Sequence, residues 1–317
     1  IHERLVGSEM CIRDRLIPLL SLSLLVTPAY SSHAAENAEA AGTSVEGQGM
    51  LSPSSSSESS ESVFNGSGAG TSSEPVTDEK LETILKQVQS QLPAENGTWA
   101  VFISDLVNGT EGSLNDQKMQ AASLIKLYIM GAVYENYDQI TGQYGRDSVD
   151  SNLYSMITVS DNDAANTLTT YLGGGDSAAG MQAVNSFCQA HGYDQTHMGR
   201  MLLASNENDD NYTSVGDCGH LLQEIYKQDT SGYTHAADMF NLLKAQTRCN
   251  KIPAQLPEGV KTANKTGELD NVENDAGIIY DSKNDVVIVF MSQNLSSAGS
   301  AQNTIATLSR TIYDYYN

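Results

Sequence analysis

The sequence predicts a mixed α/β chain of the α+β type: one antiparallel sheet flanked by terminal helices, plus an all-helical lobe. Three observations lead there. Strand-like runs occur near residue 100 and again between 260 and 293, so the sheet draws on both ends of the folded region. The interval of about 120–250 is patterned for helices almost throughout. Helical segments stand before the first strand and after the last.

The first 78 residues read as something other than this fold. Residues 1–15, IHERLVGSEMCIRDR, resemble translated sequencing-adapter read-through. Residues 16–35 read as a signal peptide: basic residues precede an apolar run from Leu16 to Val26, and small and polar residues follow. The run is too short to span a bilayer. It predicts an exported protein, extracellular or held at the cell envelope by an uncleaved signal. No cysteine follows the run, so a lipid anchor is not indicated. Residues 36–78 hold seven carboxylates, no Lys or Arg and few large apolar groups. Such a segment cannot bury enough to offset its ordering entropy, and it reads as a disordered Ser/Glu-rich linker.

The folded domain is expected over 79–317. Thr77 and Asp78 are capping residues for a helix whose apolar positions are Leu81, Ile84, Leu85 and Val88. TWAVFISDLVNGTEG is a strand ending in an Asn-Gly turn at Asn108 and Gly109. VKTANKTGEL, DAGIIYDS and DVVIVFMSQN are three further strands joined by tight turns, and SAQNTIATLSRTIYDYYN is the closing helix. A cleft is expected where sheet and helical lobe meet, the usual place for a substrate.

Composition excludes one class of partner. The net charge of −22 leaves no cationic surface for phosphates, so nucleic acid is not expected. Cys188, Cys218 and Cys249 are too widely spaced for a zinc ribbon. They are either one disulfide, with Cys218–Cys249 the preferred pair, or three buried thiols acting as small hydrophobes. The histidines show no metal spacing and no glycine loop reads as a phosphate site, so no cofactor or metal is expected. GGDSAAG at 174–180 has the spacing G-x-S-x-x-G and reads as a glycine-rich helix exit rather than a nucleophile elbow.

The chemistry concentrates in three short motifs. QAASLIKLYIMGAVYE, residues 120–135, is apolar almost all round, yet carries Ser123 and Lys126. At i and i+3 the two side chains share a helix face. Burial pushes a lysine toward its neutral form. A neutral amine can accept the serine proton and so activate a nucleophile. About one S-x-x-K is expected by chance in a chain of this length. Ser160-Asp161-Asn162 in TVSDNDAANTL and Lys265-Thr266-Gly267 in ANKTGEL are much rarer coincidences. The first should open a helix, with Asp161 mainly structural, and the second should lie on an edge strand facing the cleft.

S-x-x-K, S-D-N and K-T-G in this order resemble the penicillin-recognising serine hydrolases, namely class A β-lactamases and related D,D-peptidases. The resemblance covers 79–317, and SDNDAANTL extends it to Asn166. It implies an acyl-enzyme formed at Ser123, with Lys126 as general base and Ser160 passing a proton to the leaving nitrogen. It further implies that Asn162 binds the substrate amide and helps hold Lys126. Lys265 and Thr266 would hold the substrate carboxylate, and Gly267 would let substrate lie close to the strand. The backbone N–H groups of Ser123 and Glu268 would form the oxyanion hole. The implied substrate is a β-lactam or an acyl-D-Ala-D-Ala peptide, with cell-wall peptidoglycan as the natural source of the latter, and the implied state is a monomer.

Three departures qualify the resemblance. Class A enzymes carry a deacylating glutamate two residues after an arginine and four before an asparagine. Here Arg200 and Asn206 fit, but Leu202 stands in the glutamate's place, so deacylation should be slow unless Glu207 folds back. Ser160 follows Ser123 by only 37 residues, well short of the class A interval, which predicts a more open cleft. No arginine lies between Lys265 and Asp281 to serve as a second carboxylate anchor, and that stretch is acidic. Slow β-lactam hydrolysis is one expectation; a D,D-peptidase or an acylation-only penicillin sensor is the alternative.

Overall fold

A computed structural model describes residues 78–317. The signal-peptide and linker expectations therefore lie outside the described residues.

Helix α1 (Glu79–Gln91) starts where the Asp78 carboxylate accepts the Lys80 N–H at 3.0 Å and also caps Leu81. Its apolar face, Leu81, Ile84 and Val88, is buried. Strands β1 (Thr98–Asp105) and β2 (Thr110–Leu114) form a hairpin closed opposite Asp105 and Thr110. The chain then passes through a short strand, β3 (Met119–Gln120), into a 3₁₀ turn, Ala122–Leu124, and helix α2 (Ile125–Glu135).

Every residue of α2 from Ile125 to Tyr134 is buried, which is why its sequence is apolar on all sides. Helices α3 (Tyr137–Tyr144), α4 (Arg146–Thr158), α5 (Asn162–Leu172) and α6 (Ser177–Ala190) follow. Gly131 of α2 leaves room for the Phe187 ring of α6, which a β-carbon would meet at 2.4 Å. Two short strands, β4 (His197–Met198) and β5 (Asn211–Thr213), pair with β3 in the order β3-β5-β4. This small second sheet is an addition to the all-helical lobe expected from the sequence. Runs of two or three residues are too short for an alternating pattern to register. Helices α7 (Val215–Tyr226) and α8 (Ala236–Lys244) complete the lobe.

The main sheet closes with β6 (Lys261–Leu269), β7 (Val272–Tyr280) and β8 (Val286–Gln293), and α9 (Ala298–Tyr316) ends the chain. Strand order is β2-β1-β8-β7-β6, antiparallel throughout, with β6 at an edge. Alternation sorts the side chains. Val101, Ile103, Ile288 and Phe290 pack with α1 and α9 on one face; Ala100, Phe102, Val287, Val289 and Met291 pack with the helical lobe on the other. Burial on both faces accounts for the unbroken apolar run of β8.

The preferred disulfide is a correction. Cys218 is a free, fully buried thiol that accepts a 3.4 Å hydrogen bond from the Tyr128 hydroxyl, and Cys188 is likewise free and buried. Burial pushes the Cys218 thiol up to about 12, the behaviour of a small hydrophobe rather than a reactive sulfur. Cys249 is half-buried and is not a free thiol, so the alternative of three buried thiols holds for two of them.

Candidate active site

Sheet and helical lobe deliver the three motifs to one place. Ser123 sits in the 3₁₀ turn ahead of α2, half-exposed, while Lys126, one turn on, is 0 % exposed. The Lys126 Nζ lies 3.1 Å from the Ser123 Oγ. It also donates to the Ser160 backbone oxygen at 2.7 Å, the Ser160 Oγ at 3.2 Å and the Asn162 Oδ1 at 2.7 Å. All these partners are neutral. Burial, reinforced by the Arg248 charge and opposed by Asp161, lowers the amine to about 7.

The S-D-N segment reaches the lysine through an unusual backbone. Ser160 has φ of +62°, a left-handed conformation that L-residues seldom adopt. Asp161 then caps α5, its carboxylate accepting the Ala164 N–H at 2.7 Å, as its structural reading required. On the other side of Ser123, Ala122 has φ of +48°. Strained residues thus adjoin both halves of the serine–lysine pair.

Lys265 comes from the edge strand and is also 0 % exposed. Its Nζ donates to the Ser160 Oγ at 2.8 Å and to the Thr266 backbone oxygen at 2.7 Å. The Ser160 hydroxyl therefore bridges two lysine amines. Burial, with Lys126 and Arg248 nearby, holds the Lys265 amine well below the usual range. Thr266 is 1 % exposed, and its hydroxyl makes no hydrogen bond among the described residues. Gly267 packs against the nucleophile's turn: a β-carbon there would stand 2.9 Å from the Ala121 oxygen and 3.2 Å from the Ser123 nitrogen. The predicted residues Ser123, Lys126, Ser160, Asn162, Lys265, Thr266 and Gly267 are all brought to this place, and Glu268 follows directly on β6.

Two residues escaped the sequence reading. Arg248 pairs with the Glu268 carboxylate at 2.9 Å, and the fully buried Lys251 pairs with Glu268 at 3.0 Å and Glu273 at 2.6 Å. Both lie ahead of the 265–281 stretch in which a second carboxylate anchor was expected. TRCNK, with two basic residues three positions apart in a strongly acidic chain, was the available signal.

The loop between β4 and β5 holds Leu202 by its backbone. The Asn166 side chain accepts the Leu202 N–H at 2.8 Å and donates to the Leu202 oxygen at 3.0 Å. The Leu202 side chain is 8 % exposed and joins the core. Arg200 forms a 2.7 Å ion pair with Asp210 inside the loop. Glu207 is exposed, its N–H donating to Ser205, and does not fold back. Among the described residues no carboxylate hydrogen-bonds Ser123 or Lys126.

The chain matches the Beta-lactamase enzyme family over residues 80–147 and 143–316. Among solved structures it is similar to a β-lactamase from Sphaerobacter thermophilus at 22 % identity and a TM-score of 0.61, over 73 % of this chain and 95 % of that one. It is similar to PBP-A at 23 % identity and 0.63, over 76 % and 96 %. It is also similar to a leucine-to-glutamate mutant of PBP-A in an acyl-enzyme complex with penicillin G, at 22 % identity and 0.64, over 74 % and 96 %. Identities this low speak for the fold. No curated protein matches the chain.

Proposed function

The chain belongs to the Beta-lactamase enzyme family, and from that premise we propose that it is an active-site serine hydrolase that forms an acyl-enzyme on Ser123 and releases β-lactam products slowly. The observation that carries the reading is the 3.1 Å contact between the Ser123 hydroxyl and a buried lysine whose amine is held near 7 with only neutral partners.

In this reading the Ser123 proton passes to the Lys126 Nζ as the Oγ bonds to the carbonyl carbon. The developing oxyanion is met by the Ser123 and Glu268 N–H groups, each worth about 3 kcal/mol if aimed correctly. The carbon–nitrogen bond then breaks. The leaving nitrogen takes its proton from the Ser160 hydroxyl, which Lys126 replenishes; Ser160 lies within 3.2 Å of that amine. Lys265 and the Thr266 hydroxyl take the substrate carboxylate, whose charge restores the protonated form of Lys265. Asn162 holds Lys126 and the substrate amide.

Deacylation is the weak step. Leu202, whose side chain packs into the core, holds the sequence position at which class A enzymes carry the water-activating glutamate. That same leucine favours a second reading, a D,D-peptidase acting on acyl-D-Ala-D-Ala peptides of cell-wall peptidoglycan, for which β-lactams are inhibitors. Export to the cell envelope and a monomeric state belong to the proposal in either case.

Mixing the protein with a chromogenic cephalosporin, while following turnover and covalent mass together, tests the reading. Slow steady turnover with an adduct on Ser123 supports it. A stoichiometric burst and a permanent adduct, with D-alanine released from a muropeptide analogue, moves the assignment to the peptidase. No adduct with any penicillin or acyl-D-alanyl ester overturns both.

A further inference from the structure

Glu268 follows Lys265-Thr266-Gly267 on β6, and its carboxylate is 31 % exposed, between the exposed Arg248 and the buried Lys251. One oxygen accepts from the Arg248 guanidinium at 2.9 Å and the other from the Lys251 amine at 3.0 Å. Lys251 has a second counter-ion in the buried Glu273, which is in turn fixed by Gln302 at 2.8 Å. Among the described residues Arg248 has no second one: its remaining side-chain hydrogen bond goes to the Val159 backbone oxygen at 3.4 Å. Val159 directly precedes Ser160, whose hydroxyl accepts from Lys265. The guanidinium therefore lies beside the Lys265–Thr266 anchor, 42 % exposed, with its charge matched by Glu268 alone among the described residues.

We propose that Glu268 is a specificity-determining residue: its side chain occupies Arg248 as an internal carboxylate and so leaves substrate carboxylates to Lys265 and Thr266. A planar guanidinium is suited to bind a carboxylate through paired N–H donors, and one carboxylate already in place excludes a second. The protein accordingly discriminates only modestly between an acyl donor with a free carboxylate and the same donor with that carboxylate esterified. This inference rests on the acyl-transfer reading above.

The test uses Glu268→Gln, which keeps the side chain's shape and removes its charge, and Glu268→Gln combined with Arg248→Ala. Second-order acylation rates are measured with benzylpenicillin and with its neutral methyl ester. In Glu268→Gln the acid-to-ester rate ratio rises about tenfold, the scale of one charge-assisted hydrogen bond. In the double variant that gain disappears. A ratio that stays level or falls in Glu268→Gln, or a gain that persists without Arg248, overturns the proposal. Calorimetric binding of N-acetyl-D-alanine, which needs no chemistry, supplies a second readout. It tightens about tenfold in Glu268→Gln if the proposal holds and is unchanged if it fails, even where no donor acylates the protein and the functional reading itself has fallen.

Discussion

Gly267 and the Ser123 backbone are in direct van der Waals apposition: a β-carbon on Gly267 would reach within 3.2 Å of the Ser123 nitrogen and 2.9 Å of the Ala121 oxygen. Both neighbours are backbone, so neither can step aside as a side-chain end could. Gly267→Ala should force β6 away from the nucleophile's turn. Displacements near an ångström in such constellations cost about a hundredfold in rate. Acylation of Gly267→Ala by a cephalosporin should fall by that order while the protein still folds, as checked by circular dichroism.

Acylation should follow the neutral form of Lys126. Below pH of about 7 the amine is protonated and the rate should rise nearly tenfold per pH unit; above it the rate should level. Lys126→Met should lower the rate by about a thousandfold and abolish that inflection.

The same depressed amine makes a stability prediction. Between about 7 and the ordinary lysine value near 10.4, the unfolded chain binds a proton that the folded chain does not, so this group's contribution rises with pH across that window and is lost as pH falls through 7. Urea midpoints of the wild type should climb from pH 7 to 9 relative to Lys126→Met. Parallel curves would show that the amine is charged in the folded state.

Asn166 fixes the loop through two hydrogen bonds to one residue, Leu202. Asn166→Ala strands both backbone groups of that residue, at about 1–3 kcal/mol. Unfolding in guanidinium should show the loss, and limited proteolysis should open first within 199–210.

Leu202→Glu introduces the carboxylate that class A enzymes carry. Adduct lifetime with benzylpenicillin, read by mass spectrometry, should shorten at least tenfold. The substitution also removes a side chain packed in the core, so the melting temperature should drop, with a cost of about 2–3 kcal/mol. An unchanged lifetime in a folded variant would show that the loop directs position 202 away from the acyl carbonyl.

The sheet and the three motifs were legible because they rest on local signals. β8 is a long unbroken apolar run, α1 is capped by Asp78 with its apolar face on helical spacing, and S-x-x-K fixes its own geometry along one turn of helix. What the sequence hid is nonlocal. Arg248 and Lys251 lie in an irregular segment before β6, and only the folded chain shows that they meet Glu268 and Glu273. The strands β3, β4 and β5 are too short to carry a period. Cys218 could not be placed because a buried thiol and a half-disulfide look the same in a sequence; Tyr128, 90 residues away in the chain, completes its surroundings.

The buried Asn274 of β7 donates to the Gln120 oxygen at 2.9 Å and the Ala121 oxygen at 3.2 Å, while accepting the Ser292 N–H at 3.0 Å. It moors the nucleophile's turn to the main sheet, whereas Ser160 and Asn162, which steer the lysine amine, lie at the junction of α4 and α5 in the helical lobe. Reactivity is thus a gauge of how well two separately built layers stay in register. As urea is raised, nucleophilic competence should vanish while far-ultraviolet ellipticity is still native, because a slip between layers disarms the serine before either layer melts.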